Sequence, residues 1–231
     1  MTMANFQAGR LPFPPMMIAI AGASGSGKST LAAELARTLG GLHFPLDNYY
    51  RDLGHLLPDE RAVQNFDDPG MMDLGLLTRH VAALAQGQAI ERPGYSFSEY
   101  IRVPEQDETI RPGGLVVVEG LFSTYFPELR PYYQFSVYVD TPDNVCFNRR
   151  LKRDVEERGR EPESVQRQYD ATVRPCSMAF VRPLIDFADL VLEGTDALDF
   201  KVEQVLSALQ RRGLLQKASQ NSFSQGSFAD R

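Results

Sequence analysis

Short apolar runs alternate with segments of helical periodicity along most of this chain. Five such runs predict buried strands, and they lie at residues 16–21, 42–46, 115–118, 135–139 and 189–192. Apolar positions three and four residues apart predict helices at residues 29–39, 71–86 and 198–209, and Thr141-Pro142 starts a further charged helix. Because strands alternate with helices, we predict an α/β three-layer fold with a mainly parallel sheet of five strands.

Three segments fall outside this alternation. Residues 88–92 and 108–111 flank a loop rich in Pro, Gly and Tyr, which predicts a small β-hairpin insertion at about residues 88–111. The Pro-rich residues 1–15 predict a flexible lead, and the Ser-rich, Gln-rich residues 213–231 predict a disordered tail. Residues 16–212 are long enough to form one domain with its own core.

Composition narrows the range of functions. The net charge of −6 disfavours nucleic acid as a partner, because proteins that bind it usually carry a basic footprint. The chain contains no apolar run long enough for a membrane span, and residues 1–17 lack the apolar core of a signal peptide. Cys146 and Cys176 are in no metal-binding spacing. These features predict a cytoplasmic protein without membrane partners.

A phosphate-binding pattern follows the first predicted strand. It reads Gly22-Ala23-Ser24-Gly25-Ser26-Gly27-Lys28-Ser29 and matches GxxxxGK[ST] in the required context of strand, loop and helix. The glycines let backbone N–H groups surround a phosphate at the amino end of the following helix. Lys28 is expected to bridge the outer phosphates, while the Ser29 hydroxyl binds Mg²⁺ and Thr30 completes the ATP-binding segment. The sequence therefore predicts a P-loop NTPase fold that uses ATP and Mg²⁺.

Carboxylates follow three of the other predicted strands. Asp47, Glu119 and Asp140 each come at the end of an apolar run. Ligands of such sheets bind at the carboxyl ends of the strands, so these side chains are expected on the ligand side. Glu119 follows the most apolar run and is the predicted second anchor for Mg²⁺, which proteins hold through one or two carboxylates.

Several further motifs narrow the class of P-loop protein. An Asn-Lys-x-Asp motif that would read guanine is absent, and the length leaves no room for the extra domains of a motor, which favours a small-molecule kinase. The chain resembles the uridine/cytidine kinase family from about residue 17 to residue 192. Six blocks carry this resemblance, at residues 47–51, 65–69, 93–97, 118–120, 149–160 and 168–175.

The resemblance implies ATP-dependent phosphorylation of the 5′-hydroxyl of cytidine or uridine in pyrimidine salvage, by a homo-oligomer, either a tetramer or a dimer. Asp47 would accept the hydrogen bond of that hydroxyl and would lie near the metal with Ser29 and Glu119. Asp67 would hold the ribose hydroxyls. The other substrate-binding residues that the resemblance implies are Tyr95, Tyr100, Arg102, Arg160 and Gln168.

A lid at about residues 149–165 is also implied. Arg150 and Arg153 would cover the phosphates, and Arg158 would face the substrate, so that Lys28, Asp47, Arg153 and Arg158 form the catalytic set. The same basic run also fits a solvated helix, because three of its pairs are spaced i, i+4. Plain alternatives exist elsewhere too: Asp47 and Asp67 each fit a turn, and Tyr95 fits a packed loop aromatic.

Two positions depart from the family pattern. Tyr100 and Asp68 stand where the family usually has histidines. A phenol can accept from the cytosine amino group, so we predict that cytidine is used at least as well as uridine. Two other hypotheses remain at this point: a related kinase of pantothenate or a sugar phosphate, and a nucleotide-binding regulatory module without catalysis.

Overall fold

The computed structural model describes residues 14–215, and a five-stranded parallel sheet lies at its centre. The order across the sheet is β2-β7-β1-β8-β9, and all neighbours are parallel, which confirms the predicted fold class. The strands of the chain are β1 (Met16–Gly22), β2 (Leu42–Pro45), β3 (Ile90–Arg92), β4 (Tyr95–Ser96), β5 (Ile101–Arg102), β6 (Glu108–Ile110), β7 (Leu115–Glu119), β8 (Phe135–Asp140) and β9 (Leu190–Glu193).

Helices cover both faces of this sheet. They are α1 (Lys28–Leu39), α2 (Pro58–Ala62), α3 (Leu74–Ala85), α4 (Asp143–Glu156), α5 (Pro162–Gln168), α6 (Arg174–Cys176) and α7 (Leu198–Arg211). Alternate residues of β1 point to opposite sides, as strand geometry requires. Ile18 packs in the cluster that includes α1 and α7, whereas Met17 packs in the cluster that includes α3, so the molecule has three layers.

Strand order brings the predicted strand-end residues together. β7 lies between β2 and β1, with Glu119 opposite Pro45 on one side and opposite Ile20 on the other. The phosphate loop leaves β1 at Gly22, and Asp47 follows β2. Glu119 therefore lies between the phosphate loop and Asp47, while Asp140 ends β8 on the other side of β1.

The phosphate loop requires glycine for two separate reasons. Gly27 precedes α1 with a φ of 96°, which is the left-handed region that side chains disfavour. Gly25 is restricted by packing, because a Cβ there would lie 2.3 Å from the carbonyl oxygen of Cys146. The loop and α4 are thus in direct contact, which places the predicted lid next to the phosphate site.

The helix predicted at residues 71–86 is shorter than expected. Asp73 accepts a hydrogen bond from the backbone N–H of Leu76 at 3.0 Å and so caps α3. Pro69–Met71 forms a separate 3₁₀ turn. The β-hairpin insertion is confirmed, but it contains two short ladders, β3 with β6 and β4 with β5, where one was predicted.

The pattern missed the short helix α2 and a longer helical region after α5. After α5 the chain continues through π-helical turns at Tyr169–Val173 and Ser177–Val181 and a 3₁₀ segment at Arg182–Phe187. Two prolines within this region, Pro175 and Pro183, hide the underlying periodicity. The predicted lead and tail fall almost wholly outside the described residues, within which no helix is both long and apolar enough to cross a membrane.

Candidate active site

The phosphate loop is held from outside by α4 and the strand-end residues. Thr141 Oγ1 donates to the carbonyl oxygen of Ser26 at 3.1 Å, and Arg149 Nη1 donates to the same oxygen at 3.3 Å. Lys28 is nearly buried, and its Nζ lies 3.5 Å from the Ala23 carbonyl oxygen. A lysine in that position has its charge directed into the loop, as phosphate binding requires. Sequence reasoning missed Arg149, which lies one residue before the predicted Arg150.

Ser29 and Glu119 form the predicted pair at the amino end of α1. Ser29 Oγ donates to Glu119 Oε2 at 3.1 Å, and His43 Nε2 lies 3.5 Å from Glu119 Oε1. Burial by itself would raise the pKa of Glu119, but His43 and the charge of Lys28 outweigh it and lower that pKa. Glu119 therefore stays ionised and available to a cation.

Asp47 is the second carboxylate at this edge. Burial raises its pKa, and the negative charge of Glu119 adds to the effect, while Lys28 opposes it. Mutual repulsion between two buried carboxylates is what a divalent cation relieves, and the oxygen ligands of Ser29, Glu119 and Asp47 suit Mg²⁺. Among residues 14–215 no group of three or more His, Cys, Asp or Glu side chains is arranged to hold a metal ion, so water and substrate oxygens would complete the coordination.

The structure disfavours a turn role for Asp47. Pro45 precedes the 3₁₀ turn Leu46–Tyr49 and supplies no side-chain cap, and within residues 14–215 the carboxylate of Asp47 accepts no hydrogen bond. Asp68, not Asp67, caps the following turn, since its Oδ1 accepts from the Gly70 backbone N–H at 2.7 Å. Neither Asp47 nor Asp67 is therefore used as a turn cap, although Asp67 is paired with Arg150.

Asp67 is a buried carboxylate of the cleft that also contains the phosphate loop. Its Oδ1 is 3.6 Å from Arg150 Nη1, and only 6% of the residue is exposed. Burial raises the pKa of Asp67, and the positive charge of Arg150 opposes this rise without cancelling it. A buried carboxylate with so little compensation destabilises the fold, which is typical of a functional group.

Four aromatic residues that line the cleft with Asp67, namely Tyr50, Phe66, Tyr95 and Tyr100, are called the aromatic wall. Tyr100 stacks on Phe66 with ring centroids 4.9 Å apart and an angle of 21°, and it does so with a left-handed φ of 57°. Tyr50 contacts both Phe66, at 5.2 Å, and Tyr95, at 6.0 Å. The buried Tyr95 hydroxyl has no hydrogen-bond partner among the described residues. This wall offers flat apolar surface and phenol groups, which suit an uncharged ring.

The basic run on α4 is arranged around one carboxylate that sequence reasoning missed. Asp154 is fully buried, and it forms ion pairs with four arginines. The distances are 3.5 Å to Arg150, 2.8 Å to Arg153, 3.4 Å to Arg158 and 3.4 Å to Arg160. Burial opposes ionisation of Asp154, but the arginine charges dominate and lower its pKa. We call these five residues the arginine cluster.

The arginine cluster differs from a solvated helix. Of the three i, i+4 pairs in the sequence, only Arg150 with Asp154 is an ion pair in the described chain. Arg150 and Arg160 also donate to Gln168 Oε1, at 3.2 Å and 2.7 Å. The segment is thus folded inward onto the cleft, as the lid prediction requires, and it meets the predicted substrate residue Gln168.

One cleft contains most of the predicted site residues. Its lining comprises Ser24, Lys28, Ser29, Asp47, Tyr50, Phe66, Asp67, Tyr95, Phe97, Tyr100, Leu121, Arg150, Arg153, Arg158, Arg160 and Gln168. Tyr50, Phe66, Phe97 and Leu121 were not predicted, although the first three lie within the family-like blocks. Glu119 lies behind Ser29, through which it reaches the cleft.

Outside the phosphate loop, two further predicted residues do not line the cleft. Arg102 Nε donates to the Tyr50 carbonyl oxygen at 2.9 Å, and its Nη2 lies 3.7 Å from Asp73. Thr30 is exposed on α1. The roles of Arg102 in substrate binding and of Thr30 in ATP binding stay predictions.

Comparisons with known proteins agree with this geometry. The family model described as Phosphoribulokinase / Uridine kinase family matches residues 17–200. A uridine kinase of Chloroflexus aurantiacus is 42% identical over 203 residues, which are 85% of this chain and 97% of that protein. A uridine kinase of Salmonella paratyphi B is 44% identical over 186 residues, covering 77% of this chain and 86% of the relative.

A solved structure supports the fold alone. The putative fructose transport system kinase from Silicibacter sp. TM1040 has a TM-score of 0.61 at 22% identity, over 82% of this chain and 93% of its own. The kinase relatives show that this protein is a phosphotransferase with an alcohol group as acceptor. The chain belongs to the phosphoribulokinase/uridine kinase family.

Proposed function

We propose that this protein transfers the γ-phosphate of ATP to the 5′-hydroxyl of a pyrimidine ribonucleoside, cytidine or uridine. One observation carries the proposal: Asp47 lines the same cleft as Ser24 and Lys28 of the phosphate loop and as Asp67 with the aromatic wall. A nucleoside placed with its ribose on Asp67 and its base on the wall directs its 5′-hydroxyl toward Asp47. The uridine kinase relatives support this choice of substrate class.

Residues of the cleft have separate roles in the transfer of the phosphoryl group. Asp47 accepts the hydrogen bond of the 5′-hydroxyl and takes its proton as the new P–O bond forms. Lys28, Arg153 and Arg158 stabilise charge on the transferred group, which matters because the transition state of phosphoryl transfer is loose. Mg²⁺, held by Ser29 and Glu119 with Asp47 beside them, would neutralise charge on the phosphates.

The alternative of an anionic substrate is less well supported. A sugar phosphate or pantothenate would place a negative charge where Asp67 and the wall of Tyr50, Phe66 and Tyr95 lie. At Asp67 a buried carboxylate repels such a group. The four arginines that line the same cleft are already paired with Asp154, and the uridine kinase relatives support an uncharged nucleoside. A non-catalytic regulatory module has no need of an unpaired Asp47 in this cleft.

The direct test measures ADP release with ATP and Mg²⁺ in the presence of cytidine, uridine, pantothenate or ribulose 5-phosphate. We expect strong stimulation by the two nucleosides and none by the other compounds. Stimulation by ribulose 5-phosphate or pantothenate alone would instead identify the protein as a kinase of a sugar phosphate or of pantothenate. No stimulation by either nucleoside contradicts the proposal.

Tyr100 is proposed to set the choice between the two bases, with cytidine used at least as well as uridine. Its ring lies at the edge of the cleft, on Phe66, where it can present its hydroxyl to the 4-position of the base. Tyr100→His should shift the ratio of kcat/KM for cytidine to that for uridine toward uridine. This ratio is measured in wild type, in Tyr100→His and in Phe97→Leu, which controls for a change of a neighbouring aromatic residue. An identical ratio in wild type and Tyr100→His removes Tyr100 from base selection.

Asp67→Asn should weaken nucleoside binding without lowering the stability of the fold. Loss of charged hydrogen bonds to the ribose, each contributing about 1.5–3 kcal/mol, should raise the nucleoside KM by about 10-fold to 100-fold. The raised pKa of Asp67 means that its ionised form is disfavoured in the fold, so the melting temperature at neutral pH should stay equal or rise. Steady-state kinetics and a thermal melt check the two effects. A fall in both affinity and melting temperature would identify Asp67 as a structural group.

A further inference from the structure

The guanidinium of Arg150 contacts both the phosphate loop and Asp67. Its Nη1 donates to Ser24 Oγ at 3.1 Å, and the same nitrogen lies 3.6 Å from Asp67 Oδ1. Ser24 is the third residue of the phosphate loop, whereas Asp67 is on the nucleoside side in the proposed function. One side chain therefore connects the two substrate sites.

This connection is buried. Arg150 is 7% exposed, Ser24 is 9% exposed and Asp67 is 6% exposed. The opposite end of the guanidinium is held by Asp154, whose Oδ2 lies 3.5 Å from Arg150 Nε. In a buried site, a movement of the guanidinium leaves polar groups without partners, so Arg150 cannot shift away from one neighbour at no cost to the others.

We propose that ATP binding and nucleoside binding are positively coupled through the bridge of Ser24, Arg150 and Asp67. The proposal rests on the proposed function, because it takes Asp67 as a nucleoside-binding group. Bound ATP would add negative charge beside Arg150 and contact Ser24, and would so restrain the guanidinium where it faces Asp67. The nucleoside then binds a carboxylate whose neighbour is already restrained. The entropy of that restraint is lost once for both ligands.

The coupling is tested by calorimetric titration of the full chain. The Kd of cytidine and of uridine is measured with and without a saturating non-hydrolysable ATP analogue and Mg²⁺. In wild type we expect the analogue to tighten nucleoside binding about 5-fold or more, the lower end of usual couplings. Ser24→Ala should reduce this ratio to near one. Ser24→Thr keeps the hydroxyl and should retain the ratio.

The chain offers a matched control outside the cleft. The Ser123 hydroxyl is also buried, and it donates to the Ile20 carbonyl oxygen at 2.8 Å. Ser123→Ala removes the same atom without touching the bridge, so the coupling ratio should remain. Arg150→Lys keeps the charge but cannot span both contacts, and it should also lose the coupling. It provides a second test if Ser24→Ala does not fold.

Linkage adds an internal check that does not depend on catalysis. The nucleoside must tighten binding of the ATP analogue by the same factor by which the analogue tightens binding of the nucleoside. A ratio of one in wild type overturns the inference, as does an equal ratio in wild type and Ser24→Ala. If neither nucleoside binds at all, the proposed function itself fails and the inference fails with it, whereas uncoupled binding refutes the inference alone.

Discussion

Asp47→Asn is expected to lower kcat by about 10²-fold to 10⁴-fold, the usual range for loss of a group that accepts a proton in the transition state. Asparagine fills the same space but cannot take the proton of the 5′-hydroxyl, and its amide N–H₂ can donate where an acceptor is needed. Burial raises the pKa of Asp47, which makes it a stronger base than an exposed aspartate. The measurement is kcat for ADP release at saturating ATP, Mg²⁺ and nucleoside.

Binding experiments distinguish this role from a role in folding. The Kd of the ATP analogue should change little in Asp47→Asn, because Lys28 and the phosphate loop are intact. Asp59→Asn removes an equivalent charge from the exposed helix α2 and serves as the matched control, with kcat close to that of wild type. A variant at Asp47 that retains most of its kcat would show that this carboxylate does not act on the hydroxyl.

Asp154→Asn is expected to lower kcat by about 10²-fold or more, although Asp154 does not line the cleft. Its carboxylate holds four arginines in place, all of which are predicted to act on the phosphates or the substrate side. Displacement of a catalytic group by about 1 Å can cost 10²-fold in rate, and four arginines without a counter-charge repel one another. Separate measurement of kcat and of both KM values locates the loss.

The same change should also weaken the fold. Breaking a buried ion pair costs about 3–5 kcal/mol, and the loss here should be smaller because Arg153 and Arg158 are one-third or more exposed. The lowered pKa of Asp154 gives the sign of the pH effect. Its stabilisation is present above the unfolded pKa of about 4 and disappears as the pH falls through the folded pKa. Urea unfolding at several pH values measures the difference from wild type.

Glu156→Gln is the matched control for Asp154→Asn, because it removes one negative charge from the same helix at an exposed position. It should leave kcat and the unfolding free energy near their wild-type values, since isolated surface charges contribute about 0–1 kcal/mol. Equal effects of the two changes would show that the losses in kcat and in unfolding free energy come from overall charge and not from the ion pairs of Asp154.

The sequence by itself determined the sheet and the phosphate loop. The strands around residues 16–21 and 115–118 are continuous apolar runs. Such runs are covered on both faces of a sheet, because removal of their apolar side chains from water is favourable. The glycines and Lys28 of the phosphate loop form a local motif, since loop and helix start are neighbours in sequence. Local signals of this kind need no information about distant residues.

Tertiary structure alone decided how distant residues share the site. In the sequence, Asp154 is one more charged residue of a predicted helix, and only the folded structure shows that it is buried among four arginines. Strand order brings Glu119 between the phosphate loop and Asp47, and strand order depends on packing between segments far apart in the chain. The same holds for Arg150, which contacts Ser24 across 126 residues of sequence and also reaches Asp67. A periodic pattern records which side of an element is buried, but the partner of a buried charge is fixed only when the elements pack.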